Sequence, residues 1–106
     1  MQEPTFLVLT VLAEQDRHGY AVMRAVEEVS DGRESLRPGT LYAALDRLTV
    51  EGLIEVAGED RTPGGQRRRY YRLTVDGAAA LRAEAEERRR ISALAIRRLA
   101  HRPSPA

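Results

Sequence analysis

The densest group of side chains able to do chemistry is a run of arginines in the second half of the chain. Between positions 61 and 72 there is no acidic residue, and arginine occupies five positions: Arg61, Arg67, Arg68, Arg69 and Arg72. A guanidinium group makes paired hydrogen bonds to phosphate oxygens and to the edge of guanine, so this cluster suits a nucleic-acid partner. The alternative is a solvated surface without a partner, which is the common role of a single charge cluster.

Charge is unevenly distributed along a chain that is almost neutral as a whole. The formal net charge is +1 over 106 residues, which by itself says nothing about nucleic acid. The first 31 residues hold two arginines and six acids, a balance of −4, so the positive charge lies further along the chain. The chain has arginine and no lysine, but the base composition of a genome can produce that bias, so we give it no weight.

The sequence offers no arrangement of residues suited to catalysis or to metal binding. Cysteine is absent, which excludes disulfides and thiolate chemistry, and the two histidines, His18 and His101, stand 83 positions apart. Gly64-Gly65 is too short to indicate a loop that cradles phosphate groups. We therefore expect no enzyme activity, no metal and no cofactor, and we expect His18 to lie at a turn or a helix start.

The length of the chain and its apolar segments indicate a single domain outside the membrane. A chain of 106 residues is expected to form one domain with a modest core. No basic segment precedes the apolar run Phe6–Leu12, so the start of the chain does not resemble a signal peptide. That run is far shorter than the ~20 residues that a membrane span needs. We expect a cytoplasmic protein with no membrane partner.

A second stretch, from Leu36 to Ile54, has the pattern of a short helix whose outer face fits a groove. Pro38 suits the first helical position, and Gly52 suits the residue just after the last turn. An apolar stripe recurs at helical spacing: Leu41, Leu45 and Leu48. The opposite face is small and carries one cation: Thr40, Ala43, Arg47 and Val50. Such a face suits the major groove of DNA, although an ordinary core helix is the alternative.

The predicted helices and strands around this helix follow the order of a winged helix-turn-helix. Apolar patterns indicate helices over residues 4–13, 20–29 and 38–51, with a turn over 30–35 before the third helix. Three helices with this spacing are typical of a helix-turn-helix. The period then changes to two, which predicts strands over 53–56 and 67–73 joined by a loop over 57–66. The expected fold class is therefore mainly α (α+β): a winged helix-turn-helix with a two-stranded wing that carries the arginines.

The last helix is predicted to join two copies of the chain rather than to contact DNA. Thr74 caps it, and it runs to about Leu99, or roughly 37 Å at 1.5 Å per residue. A helix of that length cannot be covered by the small domain before it, so we expect it to pair with a second copy, together with the apolar first helix. Folding back on its own domain is the alternative. The predicted dimer interface comprises Phe6, Leu9, Leu81, Ala85, Ile91, Leu94, Ala95 and Leu99.

The predicted organisation has three parts. Residues 1–73 form the DNA-binding domain, residues 74–100 form the dimerisation helix, and residues 101–106 form a disordered tail.

Several motifs resemble those of one bacterial family. The segments are His18–Tyr20, Pro38–Tyr42, Arg47–Leu48 with Gly52–Ile54, and Arg69–Thr74 with Gly77. Together they resemble the PadR family of winged-helix transcription regulators over about residues 5–100. The single C-terminal helix resembles the short subclass of that family, in which this helix dimerises.

The chain departs from the family pattern at some positions. Many members have Pro where this chain has Ala43, and the wing often has Lys where this chain has Arg69. Some relatives hold flat aromatic ligands between subunits, stacked on Trp, and this chain has no Trp.

The resemblance and the pattern together imply a function. We expect a homodimeric regulator, more specifically a repressor, that reads two half-sites of a two-fold operator about 34 Å apart. A small-molecule effector at the dimer interface would relieve DNA binding. The predicted DNA-binding residues are Arg37, Pro38, Gly39, Thr40, Tyr42, Ala43 and Arg47 on the helix, and Arg61, Gly65, Arg67, Arg68 and Arg69 on the wing.

Two questions stay open at the level of sequence. Tyr42 lies beside the leucine stripe, so it either contacts DNA or packs against the core, whereas Tyr71 is expected in the core. A winged-helix module that binds only protein is the alternative to a DNA-binding regulator.

Overall fold

Four helices and one antiparallel sheet of three strands make up the fold in a computed structural model that describes residues 1–105. The elements in chain order are α1 (Glu3–Glu14), β1 (Arg17–His18), α2 (Gly19–Val29), α3 (Pro38–Val50), β2 (Ile54–Arg61), β3 (Arg67–Leu73) and α4 (Val75–Ala100). This arrangement confirms the predicted mainly α winged helix with a long last helix. Residue 106, in the predicted tail, lies outside the described residues.

The core forms where the leucine stripe of α3 meets the first two helices and the sheet. Leu41, Leu45 and Leu48 are completely buried, as the helical spacing predicts. They share one cluster with α1, α2 and the base of the wing, whose central members are Val8, Leu9, Val22, Val26, Ile54 and Tyr71. Each fully buried side chain of this size contributes about 1.5–3 kcal/mol, so the stripe fixes the direction in which α3 presents its outer face.

Helix ends follow the predicted chemistry. The Nδ1 atom of His18 accepts a hydrogen bond from the Ala21 backbone N–H at 3.3 Å, so His18 caps α2. Thr74 caps α4 by accepting from the Gly77 N–H at 3.0 Å. Pro38 begins α3, and Gly52 follows it with φ of +77°, a conformation that few side chains tolerate. These caps confirm the expected boundaries of the helices and fix the entry into the wing.

The sheet differs from the sequence prediction in two ways. It contains a third strand, because Arg17 and His18 pair with Tyr71 and Tyr70 of β3. The predicted loop over residues 57–66 is wrong for its first half, since β2 continues to Arg61. One extra residue is accommodated between Val56 and Gly58, where the register with β3 shifts. The wing is therefore a longer hairpin than predicted, closed by a short turn over residues 62–66.

Ion pairs and one aromatic contact fasten α4 to α1. Arg88 binds Glu3, binds Glu84 at 3.0 Å, and stacks its guanidinium 3.9 Å from the centroid of the Phe6 ring. The hydrogen bond from Arg88 lowers the pKa of Glu84 below its usual value, aided by the N-terminal amine. A carboxylate with a lowered pKa stabilises the fold above the ordinary pKa of Glu, and that contribution is lost as the pH falls through the lowered value. The junction is thus intact at neutral pH.

The second half of α4 extends beyond this junction, and the molecule measures 67 × 27 × 20 Å. Of the predicted interface residues, Ile91 and Leu99 are exposed, and Leu94 is partly buried. Leu81 is partly buried against the chain's own core. The prediction for Leu9 is wrong, because this side chain is completely buried within its own chain and has no surface for a partner. No helix among residues 1–105 combines the length and apolarity that crossing a bilayer requires.

Replacing Gly77 with alanine should destabilise the junction between the wing and α4. A Cβ atom at Gly77 would lie 1.9 Å from the backbone oxygen of Leu53, and a backbone atom cannot move aside cheaply. We expect a loss of about 2–3 kcal/mol in the free energy of unfolding, measured by chemical denaturation. Gly39→Ala is the matched control in the first turn of another helix, where an added Cβ meets nothing within 4 Å. Equal stability of the two variants would contradict the steric explanation.

Candidate nucleic-acid interface

A cleft of about 540 Å³ separates α3 from the wing. One wall comes from the start of α2 and from α3, and the other comes from the two long strands of the hairpin. The lining residues are His18, Gly19, Tyr20, Tyr42, Asp46, Glu59, Gln66, Arg67, Arg68, Arg69 and Tyr71. The cleft is therefore mostly polar, and three wing arginines, Arg67, Arg68 and Arg69, line it together with Tyr42 and Asp46 of α3.

Every predicted DNA-binding residue is exposed in the structure. On α3 the exposed positions include Gly39, Thr40 and Ala43, which leave the first turns of the helix free of bulky side chains. The backbone N–H groups of this first turn have no partner within the helix, so they can donate to a phosphate oxygen. The geometry of α3 thus permits close approach to a polyanion.

Four of the predicted arginines have guanidinium groups available to an anion. Within residues 1–105, no carboxylate lies at ion-pair distance from Arg37, Arg61, Arg67 or Arg68. Arg61 stands directly opposite Arg67 at the last rung of the hairpin. Like charges in that position destabilise a hairpin, so an anion placed between them would stabilise it.

Arg69 is anchored to the wall of the cleft. It pairs with Glu59 at 3.5 Å on the neighbouring strand. The pKa of Arg69 is raised, chiefly by hydrogen bonding to Tyr71 and also by the charge of Glu59. Arg69 therefore has fewer unoccupied donors than Arg67 and Arg68.

Arg47 is separated from the other predicted contacts. Its guanidinium donates to the Thr5 hydroxyl at 2.9 Å and pairs with Glu51 at 3.3 Å, so it is directed to α1 rather than to the cleft. A helical projection of α3 places Arg47 on the outer face, but it does not show which neighbour comes near. Its contact with DNA stays a prediction that would require it to leave these partners.

Tyr42 packs against α2 and is also exposed, so its contact with DNA stays a prediction. Its side chain lies so close to Gly19 that a Cβ atom there would be 2.5 Å from the Tyr42 hydroxyl oxygen. Tyr42 is nevertheless 47% exposed and lines the cleft. Tyr71 is buried, which confirms its expected place in the core.

Asp46 is one of the residues lining the cleft that the sequence analysis does not predict. It lies on the exposed side of α3 and lines the same cleft as the wing arginines. Phosphate groups are bound by cationic side chains, so the chemistry of phosphate binding does not predict a carboxylate at this surface. The helical spacing of Tyr42, Asp46 and Val50 was the available signal, since residues four apart share a face.

A winged helix with a cationic hairpin beside an exposed helix defines a class of nucleic-acid-binding fold. The model of the Transcriptional regulator PadR-like family matches residues 8–83 of this chain. The chain belongs to the PadR-like family of transcriptional regulators, as the motifs in the sequence predict.

Solved structures and relatives agree with this assignment. A PadR family transcription regulator from Clostridium difficile is 32% identical to this chain and has a TM-score of 0.77. The match covers 92% of this chain and 99% of that one. Transcriptional regulator Rv3488 of Mycobacterium tuberculosis is 40% identical over the matched region. That region covers 77% of this chain and 59% of the length of Rv3488. The fold also matches Bacillus subtilis PadR in complex with operator DNA, at 22% identity and a TM-score of 0.72, over 80% of this chain and 48% of that one.

Several relatives are much longer than this chain. The chain spans between 23% and 68% of the length of the curated relatives it matches.

Proposed function

We propose that this chain is a homodimeric, sequence-specific DNA-binding regulator. In the proposed complex, α3 lies in the major groove and the wing contacts the backbone or the adjacent minor groove. Two copies related by a two-fold axis would present two such surfaces to one duplex. Half-sites would then be separated by about one helical turn, ~34 Å.

One observation carries this proposal. Arg67 and Arg68 line the same cleft as Tyr42 and Asp46 of α3, and neither arginine has an ion-pair partner within residues 1–105. Phosphate contacts supply most of the affinity of a protein for DNA, and a helix with small outer residues can enter the major groove. The DNA complex formed by Bacillus subtilis PadR, which shares the fold, supports the same partner.

The exposed half of α4 supports the dimer. Ile96 and Leu99 are each 67% exposed, which is costly for aliphatic side chains on an extended helix. The same helix from a second copy presents an identical stripe, so a two-fold interface would bury both. Phe6 and the partly buried Leu94 would lie at the margin of that interface.

Regulation would act through the separation of the two α3 helices. The contact of Arg47 with Thr5 links α3 to α1, and Arg88 links α1 to α4. An effector at the dimer interface that binds one arrangement of α4 better would shift the population of dimers toward it. We propose that the DNA-bound dimer represses transcription and that the effector relieves this repression.

Selection of duplexes from a random pool tests the proposal. The purified full chain is incubated with the pool, and bound duplexes are amplified over several rounds. We expect an enriched sequence with two-fold symmetry and a centre-to-centre spacing of about 10 base pairs. Failure to enrich any sequence, with retention of a protein partner instead, would favour the module that binds only protein.

A further inference from the structure

The outer face of α3 presents few groups able to read bases. From Ala43 onward its exposed positions are Ala43, Asp46, Arg47 and Val50, and Val50 is 89% exposed. Arg47 would be the natural reader of guanine, but its guanidinium is held by Thr5 and Glu51. The polar group left to read a base beyond the first turns is therefore the Asp46 carboxylate, with the Tyr42 hydroxyl beside it.

The position of Asp46 is unfavourable for every other purpose. Aspartate has a low helix propensity, and Asp46 lies well after the first turn of α3, where the helix dipole would favour a negative charge. No cation lies at ion-pair distance from its carboxylate within residues 1–105, although three arginines line the same cleft. A carboxylate in this cleft also repels the phosphates that the arginines attract. Asp46 thus adds neither to the stability of the helix nor to general attraction for DNA.

We propose that Asp46 determines base specificity by accepting a hydrogen bond from the exocyclic amine of cytosine. This inference rests on the proposed function. An ionised carboxylate only accepts hydrogen bonds, so it is repelled by the O6 and N7 acceptors of guanine and by the O4 acceptor of thymine. Adenine offers an amine beside its own N7 acceptor, whereas cytosine offers its N4 amine and no acceptor of its own in the major groove. Cytosine is the base that fits this carboxylate best.

The neighbouring apolar side chains complete the recognition surface. Val50 is one turn further along α3 from Asp46 on the same face, and Ala43 lies one turn before it. Small aliphatic groups in the major groove contact the C5-methyl group of thymine. The face therefore reads pyrimidines: a cytosine amine at Asp46, flanked by thymine methyl groups at Ala43 and Val50.

Binding measurements on the selected operator and its single-base variants test Asp46. The wild-type chain should prefer cytosine at one position of each half-site by about 5- to 150-fold. Asp46→Asn should abolish that preference while leaving the preferences at other positions unchanged. The variant should also bind an unrelated duplex a few-fold more tightly, because a repulsive charge has been removed.

Glu28→Gln is the matched control, since Glu28 is an exposed carboxylate on α2 that lies outside the cleft and forms no ion pair within residues 1–105. It should leave the cytosine preference intact. The melting temperature of Asp46→Asn should not fall, which shows that any change in binding is not due to unfolding. An unchanged base preference in Asp46→Asn overturns the inference and leaves the proposed function standing. A wild-type chain that selects no duplex overturns both.

A base analogue tests the apolar contacts independently. Replacing thymine with uracil removes the methyl group and should weaken wild-type binding by about fourfold at the position read by Val50. In Val50→Ala, the preference for thymine over uracil should shrink at that position, because the shorter side chain makes less contact with the methyl group. Equal binding of thymine and uracil by the wild-type chain at all positions would exclude the methyl contacts.

Discussion

Replacing Arg67 and Arg68 together with alanine should lower the affinity for the operator by about 100-fold or more. Each charged hydrogen bond to phosphate is worth about 1.5–3 kcal/mol, and a dimer would lose four guanidinium groups. The dependence of binding on salt should also flatten, because each phosphate neutralised contributes about 0.9 to the slope of log K against log salt. We expect a change of roughly two units on each subunit. Titration of binding at several salt concentrations measures both effects.

The control for the wing variant removes the same charge elsewhere. Arg33 and Arg82 are exposed, form no ion pair within residues 1–105, and do not line the cleft. Their double replacement with alanine should leave the slope almost unchanged, apart from a small effect of net charge. If the wing variant keeps the wild-type slope, the wing does not contact DNA, and the role assigned to the cleft is wrong.

Placing glutamate at Ile96 and Leu99 should separate the subunits without unfolding them. Both side chains are exposed in the single chain, so the fold of each subunit does not depend on them. In the dimer they would lie between two copies of α4, where an unpaired charge costs several kcal/mol. We expect the dimer to dissociate at concentrations where the wild type remains associated, and the affinity for a two-site operator to fall by at least about 100-fold. Light scattering measures the mass.

Val75→Glu is the matched control for α4. It also converts an exposed aliphatic residue, at 87% exposure, to glutamate, but at the start of the helix, where a negative charge is favourable. This variant should remain a dimer with wild-type melting behaviour. A double variant at positions 96 and 99 with unchanged mass would show that α4 does not hold the subunits together.

Elements whose apolar residues recur at a regular spacing could be predicted from the sequence. Elements that form only by pairing with a strand distant in the chain could not. Leu41, Leu45 and Leu48 recur at helical spacing, so the buried stripe of α3 could be predicted from the chain alone. The two residues of β1 are too short to show any period. They form a strand only because β3 lies beside them. The far end of β2 has the composition of a loop, and it is extended because it pairs with β3.

The same holds for the site residues: local sequence predicts some of their properties, and others depend on a residue far away in the chain. Exposure of the wing arginines followed from their number and their place on a hairpin. The hydrogen bond from Arg47 to the Thr5 hydroxyl could not be predicted, because the two residues are 42 positions apart and meet only in the folded chain. The sequence places Leu9 at the interface because α1 is apolar on nearly all sides. Such a pattern does not distinguish a side chain buried in its own core from one that meets a partner.

The most direct test of the central claim is the mass of the protein with and without DNA, measured by analytical ultracentrifugation. The claim is that two copies of this chain present two α3 helices and two wings to one duplex. We predict a dimer in the absence of DNA and two chains per duplex on the selected operator. A single subunit at working concentrations that binds no duplex offered to it would contradict the claim.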